Sequence, residues 1–308
     1  MALLLPLLSI AVTQGKSWEA FGDPDFKNGL MLSPLTPGQV AQRGGWPKAA
    51  LSVLRFTDST EAPAWHLCQW HTHHSLQGAE RQVLDGNVSY SNVAKSVTRS
   101  KDGTLRLEVN ARYEYDHPRK QGEMWPHLLV EQDFAKHPNV GRSSKLKFRM
   151  AIRLEKEENH MTPGEFDVGL HSAQCPFYLV VRNVNKKSKD YNQFIWFGIL
   201  GYDYRNHEMR GSEIISWDVA SKTYIYVTPQ RSIWGNILFQ DKQWHNVKAD
   251  LRPYIVEALL KMKEKGFFGD TTLDDLELTG MNFGWEVPGT FNAAVSVKNF
   301  SLKVTDRK

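Results

Sequence analysis

Cysteine is nearly missing from this chain: among 308 residues the only thiols are Cys68 and Cys175. Two arrangements are open to them. One bridge would close a long loop and, on the chain-entropy account, stabilise by about 3–5 kcal/mol; alternatively both are separate buried thiols. Long apolar runs are missing too. Beyond residues 2–12 (ALLLPLLSIAV) no stretch is apolar enough to span a bilayer, which excludes a transmembrane segment in the rest of the chain. Strong charge of either sign is also absent. Thirty-eight Lys and Arg against 34 Asp and Glu leave a net charge of +4, too mild to imply a nucleic-acid partner, with only a local basic groove left open. No internal repeat or low-complexity tract interrupts the pattern.

The run at 2–12 is too short to cross a membrane and is followed by the small residues Thr13 and Gly15. It reads as a secretory signal, residues 1–15, cleaved near Lys16, although no positively charged segment precedes it. The expected mature protein is soluble and secreted, extracellular or periplasmic. The bland alternative is a buried N-terminal segment. Asn87-Val88-Ser89 and Asn299-Phe300-Ser301 match the glycosylation acceptor pattern, which matters only in a eukaryotic source.

What the chain has in excess is aromatic: ten Trp, ten Tyr and fifteen Phe. Such side chains fill cores, and Trp and Tyr also stack on sugar faces. With 41% hydrophobic and 23% charged residues, the length suits one large β domain or two small domains, and one large domain is preferred. Residues 16–62 are rich in Gly and Pro without periodicity and are expected to wrap the domain edge. Strand signals then dominate. Leu105, Leu107, Val109, Ala111, Tyr113 and Tyr115 alternate with polar residues, so one face is buried and one is wet. Leu146, Phe148, Met150, Ile152 and Leu154 alternate with Lys145, Lys147, Arg149 and Arg153, which predicts a strand with a basic outer face.

Further strands are expected at 126–134, 165–171, 177–184, 213–217, 223–228, 233–239 and 244–251. The parity of the last strand breaks between Val297 and Phe300, and a bulge near Asn299 reconciles its halves. Residues 253–265 (PYIVEALLKMKEK) place Ile255, Leu259 and Met262 on one stripe, with Pro first and Gly266 just past the end, the pattern of one helix outside the sheets. Many strands with hairpin-length links and no βαβ rhythm predict an all-β fold: a two-sheet antiparallel jelly-roll sandwich with one peripheral helix. The chain is organised around residues 191–205 (YNQFIWFGILGYDYR), an apolar strand covered on both faces that ends in Tyr202, Asp203, Tyr204 and Arg205.

Trp244-His245-Asn246-Val247, the helix, and Asn282-Phe283-Gly284-Trp285-Glu286-Val287-Pro288-Gly289 before a final strand give residues 60–308 a pattern that resembles the concanavalin A-like (laminin G-type) jelly rolls of secreted carbohydrate-binding and carbohydrate-active proteins. The resemblance implies a concave sheet forming a glycan groove, with a polysaccharide or oligosaccharide as partner. It rests on architecture, so each residue is weighed separately.

Glu165-Phe166-Asp167 is the first candidate for catalysis. Laminarinase-type hydrolases of this architecture use Glu-x-Asp-x-x-Glu on one strand, but the third carboxylate position here is Leu170, so the leaving oxygen has no acid to protonate it. A lyase on acidic polysaccharide needs a Tyr or His base and an Arg, Asn or Gln to neutralise the uronate. His127, His171, Arg182, Tyr202, Tyr204 and Arg205 supply such groups, while the strand motifs of alginate-lyase jelly rolls are missing. Trp125, His127, Leu129 and Glu131 share one strand face by alternation. The expected catalytic set is therefore His127, Glu131, Glu165, Asp167, His171, Tyr202 and Arg205.

Without catalysis, Trp125, Trp196, Trp217, Tyr224, Tyr226 and Trp234 would form a stacking platform, with Asn192, Asp203, Arg182 and Arg205 fixing sugar hydroxyls. Binding ranks slightly ahead of catalysis because no complete acid/base pair is visible; a protein-interaction module is the alternative from another class. His66, His71, His73 and His74 cluster around Trp65 and Trp70, too few on one face for a zinc site. A structural calcium fits the architecture, with no Asp-rich loop to mark it. No cofactor is implied.

Overall fold

The computed structural model describes residues 15–206 and 208–307; the leading apolar run at 2–12 lies outside them. The strands are β1 (Ser17–Glu19), β2 (Leu30–Leu32), β3 (Ser52–Leu54), β4 (Trp65–Cys68), β5 (Gln82–Leu84), β6 (Asn87–Ser91), β7 (Lys95–Arg99) and β8 (Leu105–Asn110). They continue as β9 (His127–Asp133), β10 (Ser143–Asn159), β11 (Gln174–Asn183), β12 (Phe194–Asp203), β13 (Ile214–Asp218), β14 (Thr223–Val227), β15 (His245–Asp250), β16 (Leu276–Glu286) and β17 (Phe291–Asp306). Helices α1 (Pro37–Gln42), α2 (Gln230–Trp234) and α3 (Arg252–Glu264) interrupt them.

These strands form two sheets of a β-jelly-roll sandwich. One runs β15-β10-β17-β8-β7-β6-β5, with β1 also on β17; the other runs β13-β14-β12-β11-β16-β9-β4-β2-β3. Pairing is antiparallel except at β12/β14 and β2/β4. The segment before residue 62 contributes to both sheets through β1, β2 and β3.

Alternation places the core between the sheets. Leu105, Leu107, Val109 and Phe148 of one sheet and Phe177, Phe283 and Trp285 of the other are all fully buried, and the Trp285 indole donates to the Leu107 carbonyl of the facing sheet at 3.1 Å. Burying each such ring removes a large apolar area from water, worth about 2–3 kcal/mol. Helix α3 covers the core with Ile255, Ala258, Leu259 and Met262. The expected bulge is present: Arg149 pairs Ser301 and Ala151 pairs Lys298, and Asn299 takes φ 61°, which Asn tolerates better than most residues.

Three expected strands are corrected. The strand from Leu105 ends at Asn110, and residues 111–113 form a 3-10 turn. Residues 233–239 are not a strand: α2 forms between Pro229 and Gly235, whose φ is 72°, and its apolar residues Ile233 and Trp234 close onto the core as a helical turn. Residues 165–171 form consecutive turns. The Glu165 and Phe166 amides donate to the Thr162 carbonyl, and those of Leu170 and His171 to the Asp167 carbonyl. The Glu165 carboxylate accepts from the Thr162 amide and hydroxyl and that of Asp167 from the Gly169 amide, and such local partners around Pro163-Gly164 outcompete a sheet ladder.

The two thiols are free and buried. Cys68 points to the outer face of the nine-stranded sheet, packed with Trp70 and Leu129, whereas Cys175 joins the core between the sheets. Facing opposite sides, they cannot be bridged, so the single-disulfide arrangement is excluded. Among the described residues no helix is long and apolar enough to cross a membrane.

Candidate active site

The outer face of the nine-stranded sheet is defined by the residues that alternate with its core positions. Leu128 and Val130 on β9, Phe283 and Trp285 on β16, Phe177 and Leu179 on β11, and Ile195 and Phe197 on β12 all point inward. The residues between them therefore point out, and the strand register sorts them into rows. One row reads His127, Glu286, Gln174, Asp203. A second reads His66, Glu131, Asn282, Tyr178, Gly198. A third reads Asp133, Gly280, Val180, Trp196, Ile225.

Glu131 lies near the middle of this face. It accepts the Trp70 indole N–H at 3.4 Å and the Cys68 thiol, and no ion pair among the described residues reaches it. Burial, reinforced by the nearby Asp133 charge, pushes its carboxyl up to about 7. Asp133, two residues on and on the same face, is also raised by burial, with His137 and Arg182 opposing. Between them opens a cavity of about 110 Å³ whose walls include Trp46, His66, Trp196 and Asn282. Trp46 stacks on His66 at 3.9 Å, and burial lowers that imidazole to about 4, so it is neutral at pH 7. The Asn282 Oδ1 at this cavity is buried without a partner, an acceptor open to a hydroxyl donor.

The first row forms a connected chain. Gln174 Nε2 donates to Glu286 at 2.8 Å, and Arg205 Nη2 donates to Gln174 Oε1 at 3.2 Å. Arg205 also grips Asp203 through Nε at 2.9 Å and Nη2 at 2.8 Å, and Ser172 donates to Asp203 at 2.7 Å. Glu286 is raised by burial against the Gln174 bond. For Asp203 burial is the largest influence and pushes upward, but Arg205 and Ser172 outweigh it and the carboxyl falls below its usual range. The two carboxyls on either side of Gln174 thus titrate in opposite directions. A second cavity, about 420 Å³, borders Gln174, Tyr178, Asp203 and Arg205 and has apolar walls at Leu200 and Ile225. At the end of the row, burial lowers His127 to about 4. Its Nδ1 lies 3.0 Å from the Trp125 carbonyl, and Arg119 covers the Trp125 ring at 4.6 Å.

Of the residues expected from sequence, His127, Glu131, Arg182, Trp196 and Asp203 occupy this face, and Trp125 and Arg205 adjoin it. The others are elsewhere. Glu165 and Asp167 sit in exposed turns, where they accept from Thr162 and the Gly169 amide. His171 is buried with both ring nitrogens engaged, by the Asp167 amide and the Arg119 carbonyl. Tyr202 points inward, edge-on to Trp285, with its hydroxyl on Glu157, because a register shift after Cys175 reverses its parity.

Tyr226 is buried against Phe197, and Trp234 donates to the Leu200 carbonyl from within the core. Tyr224 shares the inward side and packs on Trp217 and Phe267. Asn192 is an exposed turn residue with φ 68°, and its carbonyl accepts from Arg182. The histidines separate: His66 faces the sheet cavity, while the His73 and His74 amides donate to Glu114. Among the described residues no group of three or more His, Cys, Asp or Glu could hold a metal ion.

Sequence reasoning missed Trp46, Asp133, Gln174, Tyr178, Asn282 and Glu286. Extending the alternation of Trp125, His127, Leu129 and Glu131 by one step finds Asp133. The parity of Asn282, Gly284 and Glu286 around the core residue Trp285 would have found two more. Trp46 reaches the face from a loop, where no periodicity could signal it.

No protein-family model matches the chain, and no curated protein does. Solved structures similar to it are jelly-roll glycoside hydrolases of family 12 and their kin. The endoglucanase Cel12A from Rhodothermus marinus is 11% identical with a TM-score of 0.39, covering 74% of this chain and 97% of the enzyme. A family 12 xyloglucanase from Bacillus licheniformis is 10% identical at 0.39, over 73% and 97%. The xyloglucanase domain of a type three effector from Sinorhizobium fredii, solved with cellobiose, is 10% identical at 0.37, over 73% and 96%. At this distance no residue role transfers, and the site has to be read from its own side chains.

Proposed function

We propose that the protein is a carbohydrate-active jelly roll that takes a polysaccharide across the outer face of the nine-stranded sheet and hydrolyses it, with Glu131 as general acid and Asp133 as its partner carboxylate. The single observation that carries this reading is Glu131 itself: a half-buried carboxyl without a cation among the described residues, raised to about 7, beside a second carboxyl and an aromatic-walled cavity. A group poised near neutrality is protonated often enough to give its proton to a leaving glycosidic oxygen. Two residues of strand set their Cα atoms about 7 Å apart, and carboxyls that keep that spacing, within the roughly 6.5–9.5 Å of an inverting pair, leave room for an attacking water. Asp133, the more exposed of the two, would draw the proton from that water as its oxygen attacks the anomeric carbon. Trp46 and Trp196 supply apolar walls for the sugar, and Asn282 Oδ1 accepts from one of its hydroxyls.

The face favours a neutral polymer over a uronate. Glu131, Asp133, Asp203 and Glu286 lie on it. The guanidinium of Arg205 is already committed to Asp203 and that of Arg182 to the Asn192 carbonyl, so the two arginines expected to neutralise a uronate carboxylate are both engaged. Hydrolysis is therefore preferred to β-elimination. Action on such a polymer outside the cell accords with the secretory reading of residues 2–12.

Recognition without turnover is the second reading, and one observation favours it: the cross-strand neighbour of the buried Glu286 is the amide Gln174, so that row has no closely spaced carboxyl pair. Digestion of a panel of neutral polysaccharides, followed by reducing ends and by near-ultraviolet absorbance, tests the proposal. New reducing ends without a conjugated product, reduced 10²–10⁴-fold by Glu131→Gln, are expected. Tight binding with no cleavage would leave recognition as the function.

A further inference from the structure

The opposite side of the sandwich presents a different chemistry. On β10, Lys145, Lys147 and Arg149 alternate with Leu146 and Phe148 and are exposed. The register sets Arg149 directly beside Lys248 of β15 and Lys147 between Lys303 of β17 and Asp250 of β15, with Glu19 of β1 on the far side of Lys303. Like charges facing each other across strands repel and weaken a sheet. Among the described residues no ion pair involves Lys145, Lys147, Arg149, Lys248 or Lys303.

Farther along the same strand the strip runs into a cavity of about 490 Å³ bordered by Lys101, Arg106, Arg153 and Lys298, with Asp102 and Glu155 as its carboxylates. Arg106, Arg153 and Lys298 are held in ion pairs with Glu108, Glu155 and Asp102, so among the described residues Lys101 is the cation of this cavity in no ion pair. Arg153 and Lys298 lie over the Trp244 ring at 4.9 and 4.5 Å, which fixes both cations at the cavity wall. From Lys145 to Arg153 the strip is about 27 Å long at the rise of an extended strand.

We infer that this face of the eight-stranded sheet is a second binding surface, for a polyanionic glycan carrying sulfate or carboxylate groups. The exposed cations of the strip, five against the two carboxylates Asp250 and Glu19, supply attraction along the length of a chain polymer, and the hydroxyls of Thr98 and Ser100 in the cavity wall meet sugar hydroxyls. A single-stranded nucleic acid would need aromatic faces for its bases, and the indole here is covered by cations. A membrane surface would need apolar side chains to insert, and the exposed members of the strip are Lys and Arg. The surface lies on the opposite sheet from the proposed hydrolytic site and is independent of it.

Binding of the full chain to dextran sulfate, unsubstituted dextran, duplex DNA and anionic phosphatidylserine vesicles tests the inference. Dextran sulfate should bind and dextran should not, with affinity falling steeply as salt rises. Arg149→Ser with Lys248→Ser, two exposed positions, should weaken dextran sulfate binding at least about tenfold and leave Glu131-dependent chemistry unchanged. Lys147→Ser with Lys303→Ser provides an independent pair should the first fold poorly. Failure of dextran sulfate to bind at low salt, unchanged binding by the folded double variants, or equal or tighter binding of DNA or vesicles would overturn it.

Discussion

Replacing Glu131 by glutamine should make the protein more stable at alkaline pH and leave it unchanged in mild acid. The half-buried carboxyl titrates near 7 in the folded chain, against 4.5 for the ordinary group. Between those values the folded state holds a proton that the unfolded chain has released. Stability therefore falls as pH rises through this window, and the full loss is present above it. The two values correspond to roughly 3 kcal/mol as a ceiling. The amide in Glu131→Gln would have no proton to lose while still accepting from Trp70, so the variant escapes this loss.

Urea unfolding at about pH 4, below both values, and at about pH 8 measures the effect. At the acid pH the midpoints should agree within experimental scatter. At pH 8 the variant's midpoint should lie higher by about 1 M, given a slope of a few kcal/mol per molar. A midpoint difference that does not grow with pH, or a variant that is less stable by the same amount at both, would refute a neutral, half-buried Glu131.

Three other outcomes follow from the packing. Trp285→Ala removes a fully buried ring and its bond to the facing sheet, and should cost about 3–5 kcal/mol in chemical denaturation. Lys95 and Glu114 form an ion pair at 2.6 Å with both side chains fully buried, so Lys95→Met alone should destabilise by roughly 3–5 kcal/mol, whereas replacing both partners with apolar residues should cost much less. Glu165→Gln and Asp167→Asn, both in exposed turns, should leave any glycan cleavage within about threefold of wild type, and a loss of about a hundredfold in either, the size expected for removing an acid or base, would return catalysis to that loop.

The sandwich was legible because its strands alternate. β10 and β8 declare buried and exposed faces residue by residue, and even the bulge at Asn299 is visible as a change of parity. Residues 165–171 misled because Phe166, Val168 and Leu170 alternate as a strand does, while the bonds that bend the segment come from Thr162 and Asp167. Residues 233–239 misled because an apolar run of that length is compatible with either element, and Pro229 and Gly235 decide it. At the site, strand parity predicts His127 and Glu131 together. It fails for Tyr202, since the shift after Cys175 turns the residue inward. It is silent about the neighbours of Glu131 across the sheet, because register is a property of tertiary pairing. Charge told less than it held: a mild net value conceals an acidic face on one sheet and a basic strip on the other.

The most direct test of the account is the stereochemistry and Glu131 dependence of glycan cleavage, followed by proton NMR of the newly formed chain ends in a digest of neutral polysaccharide. An acid and a base two residues apart on one strand, their Cα atoms about 7 Å apart, predict that the first product carries the inverted anomer, and that Glu131→Gln and Asp133→Asn each suppress it by at least about a hundredfold. Retained anomeric configuration, a conjugated product, or full activity in Glu131→Gln would contradict it.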